Sequence, residues 1–279
     1  MNFSKVTSIL VALFVIVNLF LGGNLMLAYR DSQYPADTYV ENVETVLLKN
    51  GVTVSREVLS RRYLQPVTYQ ITVDENTEAK IAKKILGDTF ERESVSGVFS
   101  FRSGDNHLQM QSGIWFSFEG TIGSSGSGIE NEENRYESLT QSARQFLQKM
   151  NPKTEARFTT MMFGAEEAQI IFEQYYLGNK IKNNTAVFTV KNGMIVSARG
   201  DYIYGEMISS EVPMPKDPIN ALMTFATDIS EGETEIVEVS VEYIVNKQAR
   251  GTFLNPVWNI LDAEGNKYFF DFYGIFLKE

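Results

Sequence analysis

The residues that could carry out catalytic chemistry are few in this chain. Its 279 residues include no cysteine and a single histidine, His107. This excludes thiol catalysis, disulfides and thiolate metal sites, and also any mechanism that needs two imidazoles. His107 ends the segment Ser103-Gly-Asp-Asn-His107, which predicts a turn, so we expect an exposed loop side chain there.

A serine- and glycine-rich stretch, residues 123–128, is the one candidate for a serine nucleophile. A nucleophile elbow needs the pattern G-x-S-x-G on a strand-to-helix turn, and this stretch does not match it. It also lacks the glycine spacing of a dinucleotide-binding loop and the Gly-Lys-Ser/Thr of a P-loop. The composition favours a flexible spacer.

Carboxylate clusters are the remaining candidates. The segment Asp262-Ala-Glu-Gly-Asn266 carries oxygen donors that could bind calcium, but it lacks the EF-hand spacing and is more typical of a hairpin turn. The acidic runs 130–133 and 231–235 have loop-like flanks, which favours solvated charge over a catalytic pair. The sequence therefore predicts a protein that is not an enzyme and has no metal or cofactor. An enzyme with an unfamiliar carboxylate site is the alternative.

The charge balance argues against nucleic acid as a partner. Asp and Glu total 35 against 25 Lys and Arg, giving a net charge of -10. An acidic surface repels phosphate backbones. The hydrophobic fraction of 43% is that of a chain that folds around real cores.

An uncharged apolar segment, residues 6–29, predicts a single transmembrane helix. A helix of this length spans about 36 Å, enough to cross a hydrocarbon core of about 30 Å. The alternative is a cleaved signal peptide, but such peptides have shorter apolar regions, and Met26 and Ala28 make a poor small-x-small cleavage site. We expect residues 1–5 in the cytoplasm and the rest of the chain outside the cell membrane.

Asn18 lies near the middle of this segment, where hydrocarbon offers an amide no partner. One explanation is simple toleration of a single polar residue. The other is a hydrogen bond to a neighbouring transmembrane helix, worth about 1 kcal/mol in model systems. Gly22 and Gly23 would allow that helix to approach closely, so these three residues are the candidate transmembrane contact.

The remaining sequence predicts an α+β fold. We expect two related units of antiparallel sheet with helices packed on one face, at residues 30–119 and 135–279, because both read as helix, strands, helix, strands. Residues 120–134, rich in Gly, Ser and Glu, form the predicted linker or loop. Asn192-Gly193 indicates a β-hairpin. Aromatic residues on the predicted strands favour core packing, with a sugar- or peptide-binding face as the alternative.

Two groups of residues resemble a known family. Met1-Asn-Phe-Ser-Lys5, followed by a span containing Asn18-Leu-Phe-Leu21, resembles the N-terminus of the YycI family. Leu254-Asn-Pro-Val-Trp258 and Asp271-Phe-Tyr-Gly274 are similar to the Pro-x-Trp and Asp-x-x-Gly ending of YycI, YycH and PepSY-like domains. Tyr273 stands where that ending more often has Thr.

This resemblance implies a regulatory function without catalysis. Proteins of the YycI family are membrane-anchored accessory regulators of the WalK (YycG) sensor histidine kinase, in a two-component system that governs cell-wall metabolism in low-GC Gram-positive bacteria. They pair with YycH and contact the kinase through transmembrane helices and outer domains. The alternative is a PepSY-like inhibitor or modulator of an extracellular protease or wall hydrolase.

Overall fold

The fold contains few helices and many strands. The computed structural model describes residues 14, 18, 37–61, 63, 67–123, 132–164, 167–210, 217–230 and 232–278. The helices in this part are α1 (Asp37–Lys49), α2 (Arg56–Ser60), α3 (Glu75–Leu86), α4 (Glu132–Met150) and α5 (Ile219–Thr224), which continues into a π-helical turn, Phe225–Ile229. The strands are β1 (Val52–Val54), β2 (Thr68–Thr72), β3 (Glu91–Val95), β4 (Val98–Ser103), β5 (Asn106–Gln111), β6 (Trp115–Ile122), β7 (Glu155–Phe163), β8 (Ala168–Tyr176), β9 (Asn179–Lys191), β10 (Met194–Asp201), β11 (Glu206–Ser210), β12 (Thr234–Gln248), β13 (Gly251–Asp262) and β14 (Lys267–Phe270). The predicted α+β class is confirmed.

The predicted transmembrane segment falls almost wholly outside the described residues. Only Phe14 and Asn18 of residues 6–29 are described, and both are helical. Within the described residues, no helix is both long and apolar enough to cross a membrane. The anchor and the orientation of the chain therefore stay predictions.

The described residues divide into two compact units. The first lies within Met1–Gln65, Pro215–Val239 and Ile260–Glu279, and the second within Pro66–Met214 and Ser240–Asn259. The predicted boundary at 120–134 falls inside the second unit. The reason is that β6 and β10, on either side of that boundary, pair directly, with Phe118 opposite Ala198.

The first unit is built around one face of α1. Val40, Val43 and Leu47 are buried at spacings that bring them onto the same helical face. After α1 the chain turns at Gly51, whose φ of +78° suits glycine and whose absent Cβ would lie 2.8 Å from the carbonyl oxygen of Gly232. This close approach lets β1 pair in parallel with the start of β12.

The second unit contains an antiparallel sheet whose strand order is β7-β8-β9-β10-β6-β5-β4-β3. Its buried side chains pack against the apolar residues of α3 and α4, including Ile81, Phe146 and Leu147. The predicted β9–β10 hairpin is confirmed, and Asn192 and Gly193 both have positive φ at its turn. The order places β7 and β3 at the two ends of this sheet.

A second cluster in this unit surrounds β2, which pairs with β11 on one side and β13 on the other. Tyr69, Tyr176 and Tyr243 meet there with ring centroids between 5.0 and 6.4 Å apart. The prediction that strand aromatics serve packing is confirmed at Tyr202 and Phe270, which are fully buried. Tyr273 is exposed.

The buried side-chain amide of Gln174 links several segments of the second unit by hydrogen bonds. It lies where the β8–β9 register shifts, and its side chain is 0% exposed. Its Nε2 donates to the Ile203 carbonyl oxygen at 2.8 Å and to Thr154 Oγ1 at 3.0 Å. Its Oε1 accepts from the Ile203 amide at 2.8 Å and from Asn184 Nδ2 at 3.0 Å. Every polar group of this side chain is satisfied within the protein.

We expect Gln174→Leu to lower the free energy of unfolding by about 3 kcal/mol or more, because it leaves buried donors and acceptors without partners. Urea unfolding followed by circular dichroism measures the change. Gln248→Leu, at an exposed position of β12, is the matched control and should change stability by less than about 0.5 kcal/mol. Equal effects of the two substitutions would show that the Gln174 bonds contribute no net stability.

Candidate protein interaction surface

Asn18 is the one residue of the predicted transmembrane contact that the structure describes. Its Nδ2 donates to the carbonyl oxygen of Phe14 at 2.9 Å, one helical turn earlier, and the side chain is exposed. The internal bond uses one of its two amide hydrogens. Gly22 and Gly23 lie outside the described residues.

His107 does not lie in a loop, contrary to the sequence prediction. It belongs to β5, is half-buried, and its Nε2 lies 2.7 Å from Ser100 Oγ on β4. The turn is shorter than predicted, because β4 continues to Ser103 and β5 resumes at Asn106. Both residues are half-buried, and neither lines the clefts described below.

The candidate calcium segment is a turn, as the sequence favours. Asp262 Oδ1 accepts from the Asn266 amide at 2.8 Å, while Oδ2 accepts from Asn266 Nδ2 at 2.9 Å and from the Tyr268 hydroxyl at 3.2 Å. Both oxygens of the Asp262 carboxylate thus already accept hydrogen bonds from nearby residues. Among the described residues, no group of three or more His, Cys, Asp or Glu side chains could hold a metal.

The C-terminal residues that carry the family resemblance have structural roles. Asp271 Oδ1 accepts from the amides of Tyr273 at 2.9 Å and Ile275 at 2.8 Å, which closes a tight turn. Gly274 has a φ of +89°, and a Cβ there would lie 2.9 Å from the Asn220 backbone. Trp258 is 1% exposed and belongs to the core.

Strand β7 presents the surface best suited to binding another protein. Among the described strands it pairs only with β8, so one side of its backbone has no strand partner. Phe158, Met162 and Phe163 are 42%, 56% and 66% exposed, and residues 158–163 contain no charge. We call this strand with its exposed apolar side chains the β7 edge.

The opposite end of the same sheet has a different character. Strand β3 is exposed along its whole length and includes Glu91, Arg92 and Glu93. Charges on a terminal strand discourage pairing with other chains, whereas an exposed apolar terminal strand promotes it. Of these two terminal strands, β7 lacks such charges from Phe158 to Phe163.

A bulge sets the direction of the β7 side chains. Phe158 lies opposite Phe172 and Thr160 opposite Ile171, so β7 has one extra residue at Thr159. Because of this insertion, Phe158 and Met161 both oppose buried residues of β8, although they are three positions apart. Phe163 stacks edge-on against Tyr136 of α4, with ring centroids 5.3 Å apart.

Two clefts lie between α4 and the β7 edge. The larger, of about 600 Å³, is lined by Asn134, Glu137, Ser138, Thr140, Gln141, Arg144 and Phe158. The other, of about 550 Å³, is lined by Arg144, Gln148, Thr154, Glu155, Ala156, Arg157 and Phe158. We call the second the Arg144 cleft. Arg144 and Phe158 line both, so the two form adjacent parts of one surface.

The Arg144 cleft carries an excess of positive charge. Arg157 Nη2 lies 2.8 Å from Glu155 Oε2, and its guanidinium stacks 4.0 Å above the Tyr175 ring. The hydrogen bond from Arg157 lowers the pKa of Glu155, and the charge of Arg144 acts in the same direction. Arg144 itself lies 6.0 Å from the Phe172 ring centroid. Two guanidiniums therefore face one carboxylate.

Sequence reasoning did not identify this surface. Strand order determines which strand of a sheet is terminal. That order depends on pairings between residues far apart in the chain. The available signal was the uncharged run 158–163 beside Arg157, which is equally typical of a central strand.

A buried carboxyl group, Glu78, lies elsewhere in the second unit. Glu78, on α3, is 1% exposed, and its Oε2 and the Tyr204 hydroxyl are buried without hydrogen-bond partners among the described residues. Burial raises the pKa of Glu78 above its ordinary value of 4.5. A backbone hydrogen bond and the charge of Arg92 oppose this shift, and the charge of Asp74 reinforces it. Burial also raises the pKa of Tyr204.

Comparisons with known proteins give distant structural similarity only. No protein-family model and no curated protein matches the chain. An uncharacterized protein from Eubacterium rectale is similar at 12% identity, with 86% of this chain and 98% of that chain covered and a TM-score of 0.42. The C-terminal domain of Bacillus megaterium YpeB is similar at 10% identity, with 74% and 96% covered and a TM-score of 0.38.

We expect the stability of the protein to fall as the pH rises through the raised pKa of Glu78. The folded state holds this proton more tightly than the unfolded chain, so the stabilisation is complete below the ordinary value of 4.5 and is lost above the folded-state pKa. Urea midpoints measured from pH 4 to pH 8 test this. Glu78→Gln should flatten the pH profile in that window relative to the wild type. An unchanged slope in Glu78→Gln would contradict the assignment.

Proposed function

We propose that this chain is a membrane-anchored, extracytoplasmic regulatory protein that acts by binding other proteins. The observation that carries this proposal is the β7 edge, a terminal strand with exposed apolar side chains and no charge from Phe158 to Phe163. Such an edge favours association with another chain, and a soluble protein normally blocks it. The clefts beside α4 enlarge the surface available to a partner.

The predicted transmembrane helix supplies the second contact. Asn18 donates one amide hydrogen to the Phe14 carbonyl oxygen. This hydrogen bond lowers the free energy needed to place the amide in hydrocarbon. Its Oδ1 remains available to a donor on an adjacent helix. In the predicted transmembrane helix, Gly22 and Gly23 would allow that helix to approach closely.

The partners we propose are a WalK-type sensor histidine kinase and a YycH-type protein. This assignment is supported by the resemblance at residues 1–5, 18–21, 254–258 and 271–274. Binding that favours one conformation of the kinase by about 1–3 kcal/mol would change its activity 5- to 150-fold. The output would be altered cell-wall metabolism. That the outer part consists of two related units with helices on one face stays a prediction from element order.

The alternative is a PepSY-like inhibitor or modulator of an extracellular protease or wall hydrolase. The same observation permits it, because proteases bind extended segments, and the β7 edge offers one. The two functions differ in the partner that is recovered, so one experiment separates them.

We expect Asn18→Leu and Met162→Lys each to reduce recovery of the kinase and the YycH-type protein with the tagged full-length chain. Leucine preserves membrane insertion but removes the amide, and lysine introduces a charge onto the β7 edge. The measurement is affinity purification from detergent-solubilised membranes with quantification of both partners. Val95→Lys, on exposed strand β3 at the other end of the sheet, is the matched control.

Undiminished recovery with both variants, at normal expression, would reject the two assigned contacts. Recovery of a secreted protease or wall hydrolase in place of the kinase would favour the alternative. Loss with Val95→Lys as well would show that added charge acts nonspecifically.

A further inference from the structure

We propose that the Arg144 cleft recognises an extended acidic segment of a partner protein, bound along the β7 edge with a carboxylate against Arg144. The inference rests on the proposed function, because it specifies the chemistry that the same surface binds. It commits to a peptide segment that combines a carboxylate with apolar neighbours.

Charge is the first reason. The protein carries a net charge of -10, yet Arg144 and Arg157 both line this cleft beside the carboxylate of Glu155, while Glu137 lines the adjoining cleft. Arg157 already forms a 2.8 Å ion pair with Glu155, so the bonding capacity of that carboxylate is partly used. Within this cleft, Arg144 therefore supplies a positive charge that Glu155 does not neutralise. A guanidinium can bind a carboxylate of a partner by two parallel hydrogen bonds.

The position of Arg144 is the second reason. Arg144 is half-buried, and its guanidinium carbon lies 6.0 Å from the centroid of the Phe172 ring. Phe172 in turn meets Phe158 edge-on, with centroids 6.0 Å apart. The cation is thus held beside an apolar side chain that is 42% exposed. A bound segment would place an acidic residue and an apolar residue next to each other.

The backbone of β7 is the third reason. Its outer side has no strand partner among the described residues. An extended segment can bind such an edge through main-chain hydrogen bonds, while cleft-facing side chains provide specificity. The bulge at Thr159 interrupts regular pairing. The segment that we propose therefore runs along Glu155–Phe158, where the cleft lies, rather than along the whole strand.

The test is selection of random heptapeptides, displayed on phage, by the full-length chain in detergent and by its Arg144→Gln and Arg135→Gln variants. Arg135 is the matched control, because it lies on the same helix but beside Gly193 and does not line the cleft. A selected peptide is then synthesised with its acidic residue present or replaced by glutamine. Binding of both forms is measured by fluorescence anisotropy, with propionate as a competing free carboxylate.

We expect the wild type and Arg135→Gln to select peptides that carry an acidic residue next to apolar ones. Replacement by glutamine, or Arg144→Gln, should weaken binding at least about tenfold. Selection of peptides without a shared acidic residue, or equal binding by Arg144→Gln, would overturn the proposal. Displacement by propionate at the peptide's own concentration would also overturn it, because the site would then bind small carboxylates.

The outcomes separate this inference from the proposed function. If Met162→Lys abolishes recovery of the kinase but no acidic peptide is selected, the regulatory function stands and acidic-segment recognition is rejected. If acidic peptides bind but neither Asn18→Leu nor Met162→Lys changes recovery of the kinase, the peptide site stands and the regulatory assignment is rejected.

Discussion

The side-chain amide of Gln174 is buried where the register of β8 and β9 shifts. Its hydrogen bonds connect segments that regular strand pairing does not connect at this point. Two of these go to the backbone of Ile203 at 2.8 Å, and the others reach Thr154 just before β7 and Asn184 on β9. An amide that is 0% exposed has no water as an alternative partner. The positions of β8, of the segment after β10, and of the start of β7 therefore depend on it, and the shape of the Arg144 cleft depends on them.

The two terminal strands of the large sheet, β3 and β7, differ in the charge of their side chains. Glu91, Arg92 and Glu93 make β3 unattractive to another chain. In β7 the charges are confined to its start, where Glu155 and Arg157 pair with each other, and the rest of the strand is uncharged. Selection for solubility alone would charge both strands. The asymmetry is therefore the feature of this fold that points most directly to a binding function.

The sequence predicted elements that depend on neighbouring residues and missed those that depend on distant ones. Helix α1 follows from Val40, Val43 and Leu47, and the β9–β10 hairpin follows from Asn192-Gly193, because both patterns are local. The pairing of β6 with β10 is not local, so the division at 120–134 does not match the compact units. The same cause hid the β7 edge, since no local pattern shows that a strand is terminal. His107 was misplaced because turn composition extends into the start of β5.

The order of the chain also constrains how the protein is made. Residues 260–279 complete the unit that residues 1–65 begin, and residues 240–259 complete the other. Strand β13 contributes residues to both of these segments, because the two units meet in sequence at residues 259 and 260. A ribosome delivers β13 only after most of the chain has emerged, so neither unit can close before then. A chain interrupted before β13 would leave both units incomplete.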